Sequence, residues 1–362
     1  MPNVTLERRI HHVFGFGTAR DAAEHDLESK GIVLPFPQRG EWHEAIGHSS
    51  SALVVASDTD GRARAAAGIG IGRSRALPLH RIYRVERLGS SPTDADDSAL
   101  LKAIADAAHS DRLCIRLHLG IFEPDAERRQ RLGTVLGSAG FVRAQQPESY
   151  RRTPSLDLEA SEEVLFSKLA ASARRNVRVP AKRGLQLLPI DDPSYAGRLT
   201  ELLEESFRRT GGSPVPLPWQ TILQRSGRSP HRSRVVGLFK PEEISPSSLV
   251  AFAWGCVNGN YVTYEAGAAS RQEGLGNMPL AYAPLWDLIA WARRIGAKWF
   301  DFGGVSAVGE SATDDPLGGI TDFKKFFCER IIEVRDEWTL EPRPLRATIA
   351  RAVSAAANRI RR

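Results

Sequence analysis

Cysteine, metal-ligand spacings and long apolar runs are scarce in this chain. Its three cysteines, Cys114, Cys256 and Cys328, are odd in number, far apart and set among apolar or aromatic neighbours. A disulfide framework is therefore excluded, and buried free thiols in a reducing compartment are expected. No CxxC or zinc-type spacing occurs, and His11-His12 has no third ligand close in sequence. It reads as a surface pair, and neither a metal nor a resident cofactor is expected. No apolar run reaches membrane-span length, and MPNVTLERRIHHVFGFGTARDAAEHD lacks the continuous apolar core of a signal peptide. A cytoplasmic protein is the expectation.

What is present is ordinary for a globular protein: 42% hydrophobic and 25% charged residues. The net charge is +6 with a pI near 9.4. That balance suits an anionic partner such as RNA, a nucleotide or a membrane surface. At 362 residues the chain exceeds what one core usually serves. We divide it as 1–155, 156–345 and a basic tail, 346–362. A monomer is expected.

In the first part, 52–56 and 65–71 read as a hairpin across DTDG, and RIYRVERL (81–88) alternates like a strand. A helix over 97–109, a strand over 113–119, a helix over 127–136 and a further strand after Phe141 follow, which implies an α/β topology. From Ser161, an N-cap candidate, one helix is expected to run into Arg174, Arg175 and Arg178, breaking at Pro180 before Lys182 and Arg183. Cations at a helix C-terminus complement its dipole, but this cluster exceeds what capping needs and fits phosphate or RNA. A helix over 196–209, a glycine-proline loop carrying Trp219 and a strand after His231 come next. A second hairpin across NGN (249–257 with 261–266) and an amphipathic helix over 279–294 complete the series. Hairpin, helix and strand recur in both parts, which indicates a duplicated fold.

The chemistry concentrates in GAKWFDFGGVSAVGESATDDPLGGITDFKKFFC (296–328). A short strand, 298–302, stops on Gly303-Gly304, where glycine permits positive φ and close approach to a ligand. A long Gly/Ser/Asp loop then leads to Phe323-Lys324-Lys325-Phe326-Phe327. Lysines on an apolar footing suit an anionic substrate or a developing oxyanion; equally, they read as solvated lysines beside an aromatic core edge.

Four pieces resemble the Fem-type (FemABX) aminoacyltransferases, tandem members of the GNAT superfamily, over roughly Leu34 to Trp338. They are the lead-in FPQRGEW with Trp42, the string ARRNVRVPAKRG, YEAGAAS (with Tyr264) followed by PLWDLIAWARRIGAKWFDFGG, and GITDFKKFF, in which Gly319, Phe323 and Lys324 match a Gly-x-x-x-Phe-Lys ending. The resemblance implies two tandem GNAT-like domains, each a mixed, mostly antiparallel sheet flanked by helices. It implies transfer of an aminoacyl group from aminoacyl-tRNA to an amine of a small peptide, a nucleotide-linked peptide or a peptidoglycan-precursor-like acceptor. Lys324 would stabilise the oxyanion and Phe323 would shape the pocket. Asp301 would orient the acceptor amine or hold the Gly303-Gly304 turn. Arg174, Arg175 and Arg178 would face phosphates, with Gly303, Gly304, Tyr264 and Trp42 also on the substrate side. Pro180 stands where the family's helix usually continues.

A competing sign is Arg271-Gln-Glu-Gly274-Leu-Gly276, which matches the R-x-x-G-x-G phosphate loop of acyl-CoA-dependent GNAT enzymes and falls between a strand and a helix. It implies an acyl-CoA-dependent N-acyltransferase acting on an amino sugar or peptide amine. A non-catalytic GNAT-like binding module is the third reading. The basic tail, with Arg346, Arg351, Arg359, Arg361 and Arg362 and no acid, reads either as an amphipathic helix resting on anionic lipid or RNA, or as a solvated end.

Overall fold

The structure, a computed structural model, describes residues 9–145, 148–209, 214–241, 244–271, 275, 278–305 and 318–360. The chain forms two compact units, Met1–Arg151 with Glu333–Arg362, and Arg152–Ile332. In chain order the first contains β1 (Arg9–Phe14), α1 (Thr18–Ser29), α2 (Gly40–Ala45), β2 (Ser50–Ser57), β3 (Ala63–Arg73), β4 (Arg81–Leu88), α3 (Asp94–Ser110), β5 (Cys114–Phe122), α4 (Ala126–Ser138) and β6 (Val142–Arg143). The second begins with β7 (Arg152–Asp157), α5 (Glu162–Lys168), α6 (Ala171–Lys182), β8 (Gln186–Pro189), α7 (Ala196–Arg209) and α8 (Trp219–Arg228). It continues through β9 (Ser233–Phe239), β10 (Leu249–Asn258), β11 (Tyr261–Ala269), α9 (Tyr282–Arg294), β12 (Trp299–Asp301), α10 (Gly318–Lys325) and β13 (Ile331–Glu333). The chain then returns to the first unit as β14 (Arg335–Leu340) and α11 (Pro344–Ile360).

In the first unit a seven-stranded sheet runs β1-β2-β3-β4-β5-β14-β6. The β2–β3 hairpin is set by its turn: Asp58 Oδ1 accepts from the amides of Asp60 and Arg62, as the short acidic side chain favours. β4 and β5 are parallel, as their α3 connection requires. Thr93 caps α3 by accepting from the Asp96 amide, and the acidic first turn complements the helix dipole. The apolar side of α3, including Leu100, Leu101 and Ile104, packs with Leu117, Leu119 and Ile121 into one core. Here the structure differs from the sequence division: 333–345 belong with the N-terminal part because β14 pairs with both β5 and β6.

The second unit repeats the plan, with a seven-stranded sheet in the order β13-β7-β12-β11-β10-β9-β8. β11 and β12 are its parallel pair, joined by α9. Leu285, Leu288 and Ile289 of α9 bury against Val262, Ala253, Phe300 and Phe302. Full burial of each such side chain contributes about 1.5–3 kcal/mol.

Three local expectations are corrected. The helix from Ser161 is two: Ser161 does cap α5, by accepting from the Val164 amide, but the chain breaks at Leu169–Ala170, where the Ala170 amide donates to Phe326 O. Pro180 does not break α6, because it lies in the last turn, where its missing N–H removes one bond only. The helix closes beyond it, with the Leu185 amide returning to Pro180 O and Gly184 at φ 80°. Trp219 opens the helix α8 rather than sitting in a loop, and is buried edge-on against Phe252 and Trp254.

Candidate functional site

The site of the second unit forms where its two parallel strands part. β11 pairs with β12 only over Tyr261–Thr263 against Trp299–Asp301, after which β12 ends while β11 continues to Ala269. Opposite β10, Gly255 faces Tyr264 and Trp254 faces Ala266, so Glu265 of β11 is an extra residue, a bulge that bends the strand just past its pairing with β12.

Asp301 closes the short strand and is completely buried. Its Oδ1 accepts from Thr153 Oγ1 at 2.5 Å and from the Gly303 amide at 2.8 Å. Its Oδ2 accepts from Thr263 Oγ1 at 3.1 Å, and Thr263 in turn accepts from Asn258 Nδ2. Three donors thus converge on this buried carboxylate and answer both of its oxygens. The bond to Gly303 folds the chain back at φ 75°, the left-handed region that glycine enters without steric cost. A Cβ at Gly303 would also lie 3.4 Å from Tyr264 O and 3.6 Å from Lys324 Nζ.

Lys324 comes to this turn from the last turn of α10 and is only 6% exposed. Its Nζ donates to Gly304 O at 2.7 Å. Burial lowers its pKa from the usual 10.5 to about 8, against the opposing attraction of Asp301. At neutral pH it therefore remains a cation, with one hydrogen bond to a neutral carbonyl and a carboxylate behind it. Lys325 instead is exposed and pairs with Asp322 at 3.2 Å. The flanking aromatics form the wall: Tyr282 meets Phe323 edge-on at 4.9 Å and stacks on Phe327 at 5.5 Å. Tyr264 is half-buried, its hydroxyl against Gly267, where a Cβ would fall 2.2 Å from the oxygen; burial raises its pKa.

Lys324, Phe323, Asp301, Gly303, Gly304 and Tyr264 thus occur in one unit, around one strand end. The arginine cluster divides. Arg174 is occupied locally, its Nη1 donating to Ser167 O at 2.7 Å and Leu169 O at 2.5 Å at the C-terminus of α5. The Arg178 guanidinium lies 4.8 Å from the Phe166 ring centre, a cation–π contact. Arg175, Lys182 and Arg183 are exposed. Trp42 belongs to the first unit, where it packs on Phe36 at 4.6 Å. Arg271 is exposed just after β11, its amide donating to Glu205; Gly274 and Gly276 lie outside the described residues. So does the loop 306–317, while Gly319 lies in the first turn of α10. Among the described residues no cluster of His, Cys, Asp and Glu could hold a metal, and no helix is long and apolar enough to cross a membrane.

The sequence did not point to Thr153, Thr263 or Asn258. Thr153 is 148 positions from Asp301 and meets it only because β7 pairs antiparallel with β12, Ser155 opposite Asp301.

No family model matches the chain, and a search of curated proteins finds no match. Solved structures are similar over nearly its whole length. The crystal structure of FemX matches with a TM-score of 0.73 at 15% identity, covering 93% of this chain and all of that one. The structure of L-PGS from Bacillus licheniformis matches with a TM-score of 0.53 at 15% identity, covering 92% of this chain and 96% of that one. At such identity the likeness is one of fold. The chain shares the fold of FemX: two tandem units, each a mixed and mostly antiparallel sheet flanked by helices.

Proposed function

We propose that the protein is a transferase that forms an amide bond, moving an aminoacyl group from aminoacyl-tRNA to an amine of a peptide or peptidoglycan-precursor-like acceptor. The observation that carries this reading is the buried Lys324 ammonium at the parting of β11 and β12, held by Gly304 O. The acceptor nitrogen attacks the ester carbonyl, and its lone pair becomes the new C–N bond. Negative charge moves to the carbonyl oxygen, where a desolvated cation stabilises it more than water would. Collapse expels the ribose oxygen, which takes up the proton that the amine releases. The ester is already activated, so positioning and charge suffice without a strong general base. The similarity in fold to FemX and to L-PGS supports an aminoacyl donor. Arg175, Lys182 and Arg183 are exposed cations on and beside α6 that suit tRNA phosphates, and Arg178 is exposed as well.

A second reading, N-acylation from acyl-CoA, is favoured by one observation: Arg271 stands exposed between β11 and α9, at the start of the R-x-x-G-x-G string. Comparing aminoacyl-tRNA with acetyl-CoA as donor, with RNase as control, separates the two. Activity that survives RNase sinks the tRNA reading. Lys324→Ala is expected to lower kcat by about 10²–10³, the usual cost of removing one oxyanion stabiliser. If neither donor supports turnover, the protein is a binding module.

A further inference from the structure

We infer that α11 is an anchor for an anionic membrane surface. The helix is attached to the first unit along one side only: Ala347 and Ala350, three residues apart, are buried, and Arg346 Nη1 donates to Arg112 O. On another side Leu345, Ile349 and Val353 recur every four residues, which places them in one stripe. They are 82%, 53% and 42% exposed, whereas side chains of this size ordinarily face a core. Ala352 and Ala356 fall on the same stripe, and each described side chain from Arg351 to Arg359 is exposed.

The charge on this helix has one sign. Arg346, Arg351 and Arg359 lie on it, Arg361 and Arg362 follow in sequence, and no acid occurs from Pro344 onward. Arg351 is paired with Glu341, before the helix in sequence, whereas Arg346 donates to a neutral carbonyl and Arg359 is exposed. An apolar stripe flanked by cations matches a lipid surface, where acyl chains take the stripe and anionic headgroups take the arginines. RNA would use the cations but offers nothing to Leu345, Ile349 and Val353. A second copy of the chain would bring like charges together across a two-fold interface.

The test is co-sedimentation of the full chain with vesicles. With vesicles containing phosphatidylglycerol at low salt the protein is expected in the pellet, and with pure phosphatidylcholine in the supernatant. A Leu345→Glu/Ile349→Glu/Val353→Glu variant should lose about tenfold or more in partitioning for each side chain. Replacing Arg359, Arg361 and Arg362 with glutamine should lower it about fivefold for each charge removed, an effect that salt should also produce. Leu345, Ile349, Val353 and Arg359 are exposed, so far-ultraviolet circular dichroism should match the wild type. The inference is overturned if anionic vesicles leave the wild type in the supernatant, or if the apolar variant sediments equally well. It is also overturned if the variant loses only tRNA retention or only self-association.

Discussion

Replacing Asp301 with asparagine separates two roles for this carboxylate: tying the strand end together and keeping Lys324 charged. The asparagine oxygen can go on accepting from Thr153 and the Gly303 amide. Its Nδ2, however, must face Thr263 Oγ1, which already accepts from Asn258 Nδ2. The Thr263 proton then has no acceptor at this position, and Thr263 is only 1% exposed. A buried polar group left unsatisfied costs about 1–3 kcal/mol, which urea unfolding would resolve. The electrostatic consequence is distinct. Burial pushes the Lys324 pKa down to about 8 while Asp301 opposes it, so removing the negative charge lets burial act alone. The Lys324 ammonium should then lose its proton below pH 8. If that ammonium stabilises the oxyanion, the alkaline limb of kcat/KM, near pH 8 in the wild type, should move to lower pH in Asp301→Asn. An NMR titration of the lysine side chain should follow the same shift. Thr153→Val removes a hydrogen bond without removing the charge, so it should lower stability by a similar amount and leave the limb nearly in place. An Asp301→Asn enzyme that is less stable but titrates like the wild type would refute the electrostatic role and leave Asp301 as a structural tie.

The remaining predictions concern stability. Lys324 binds its proton less tightly folded (about 8) than unfolded (10.5), so the unfolded state holds more protons between those values. Stability should rise from pH 8 toward 10.5 by up to about 1.4 kcal/mol per unit, a slope absent in Lys324→Met, as denaturant titrations across this range would show. His43 is buried beside Ser51, its Nδ1 2.8 Å from the hydroxyl, and its pKa falls from 6.5 to about 3 through burial first and His48 next. The neutral ring therefore contributes stability that is full above pH 6.5 and is lost as pH falls toward 3; His43→Gln should flatten that acid-side loss in equilibrium unfolding. Gly68 cannot take a side chain, since a Cβ would lie 1.8 Å from Gln38 O. Gly68→Ala should cost about 3 kcal/mol by overpacking, seen as a lower midpoint in thermal unfolding.

Much of the scaffold was legible because its signals are local. The turns DTDG and NGN, the alternation in 81–88 and the Ser161 cap each depend on neighbouring residues, and each element stands where those signals place it. The misreadings share a different cause. Nothing between Ser161 and Arg183 marks the break at Ala170, since it is imposed by a contact with Phe326, far along the chain. The arginines of α6 looked equivalent in sequence, yet Arg174 is occupied by the carbonyls of α5 and Arg178 by the Phe166 ring, leaving Arg175 exposed. Lys324 and Lys325 were alike as residues, and only the Gly-x-x-x-Phe-Lys match favoured Lys324. Only their positions on α10 make one a buried, destabilised cation and the other half of an exposed ion pair.

The two units share a construction but end their parallel strands differently, and that difference supports placing the proposed chemistry in the second. In the first, β4 stays paired with β5 from Arg81–Cys114 to Leu88–Ile121. Its irregularity near Arg87 is absorbed rather than opened: Arg87 takes φ 53°, and its guanidinium lies 4.4 Å from the Phe122 ring centre and donates to Tyr150 Oη at 2.6 Å. A bulky residue holds a strained backbone there because an aromatic pair clasps it. In the second, β11 and β12 take the places of β4 and β5, but β12 stops after three residues and the chain turns back at Gly303, which needs no clasp. The polar groups that a continued strand would have used are answered instead by Asp301 and by Lys324 Nζ. A short strand, a glycine with positive φ and a buried lysine are therefore one arrangement: ending the strand creates the opening, and the opening is what a buried cation can serve.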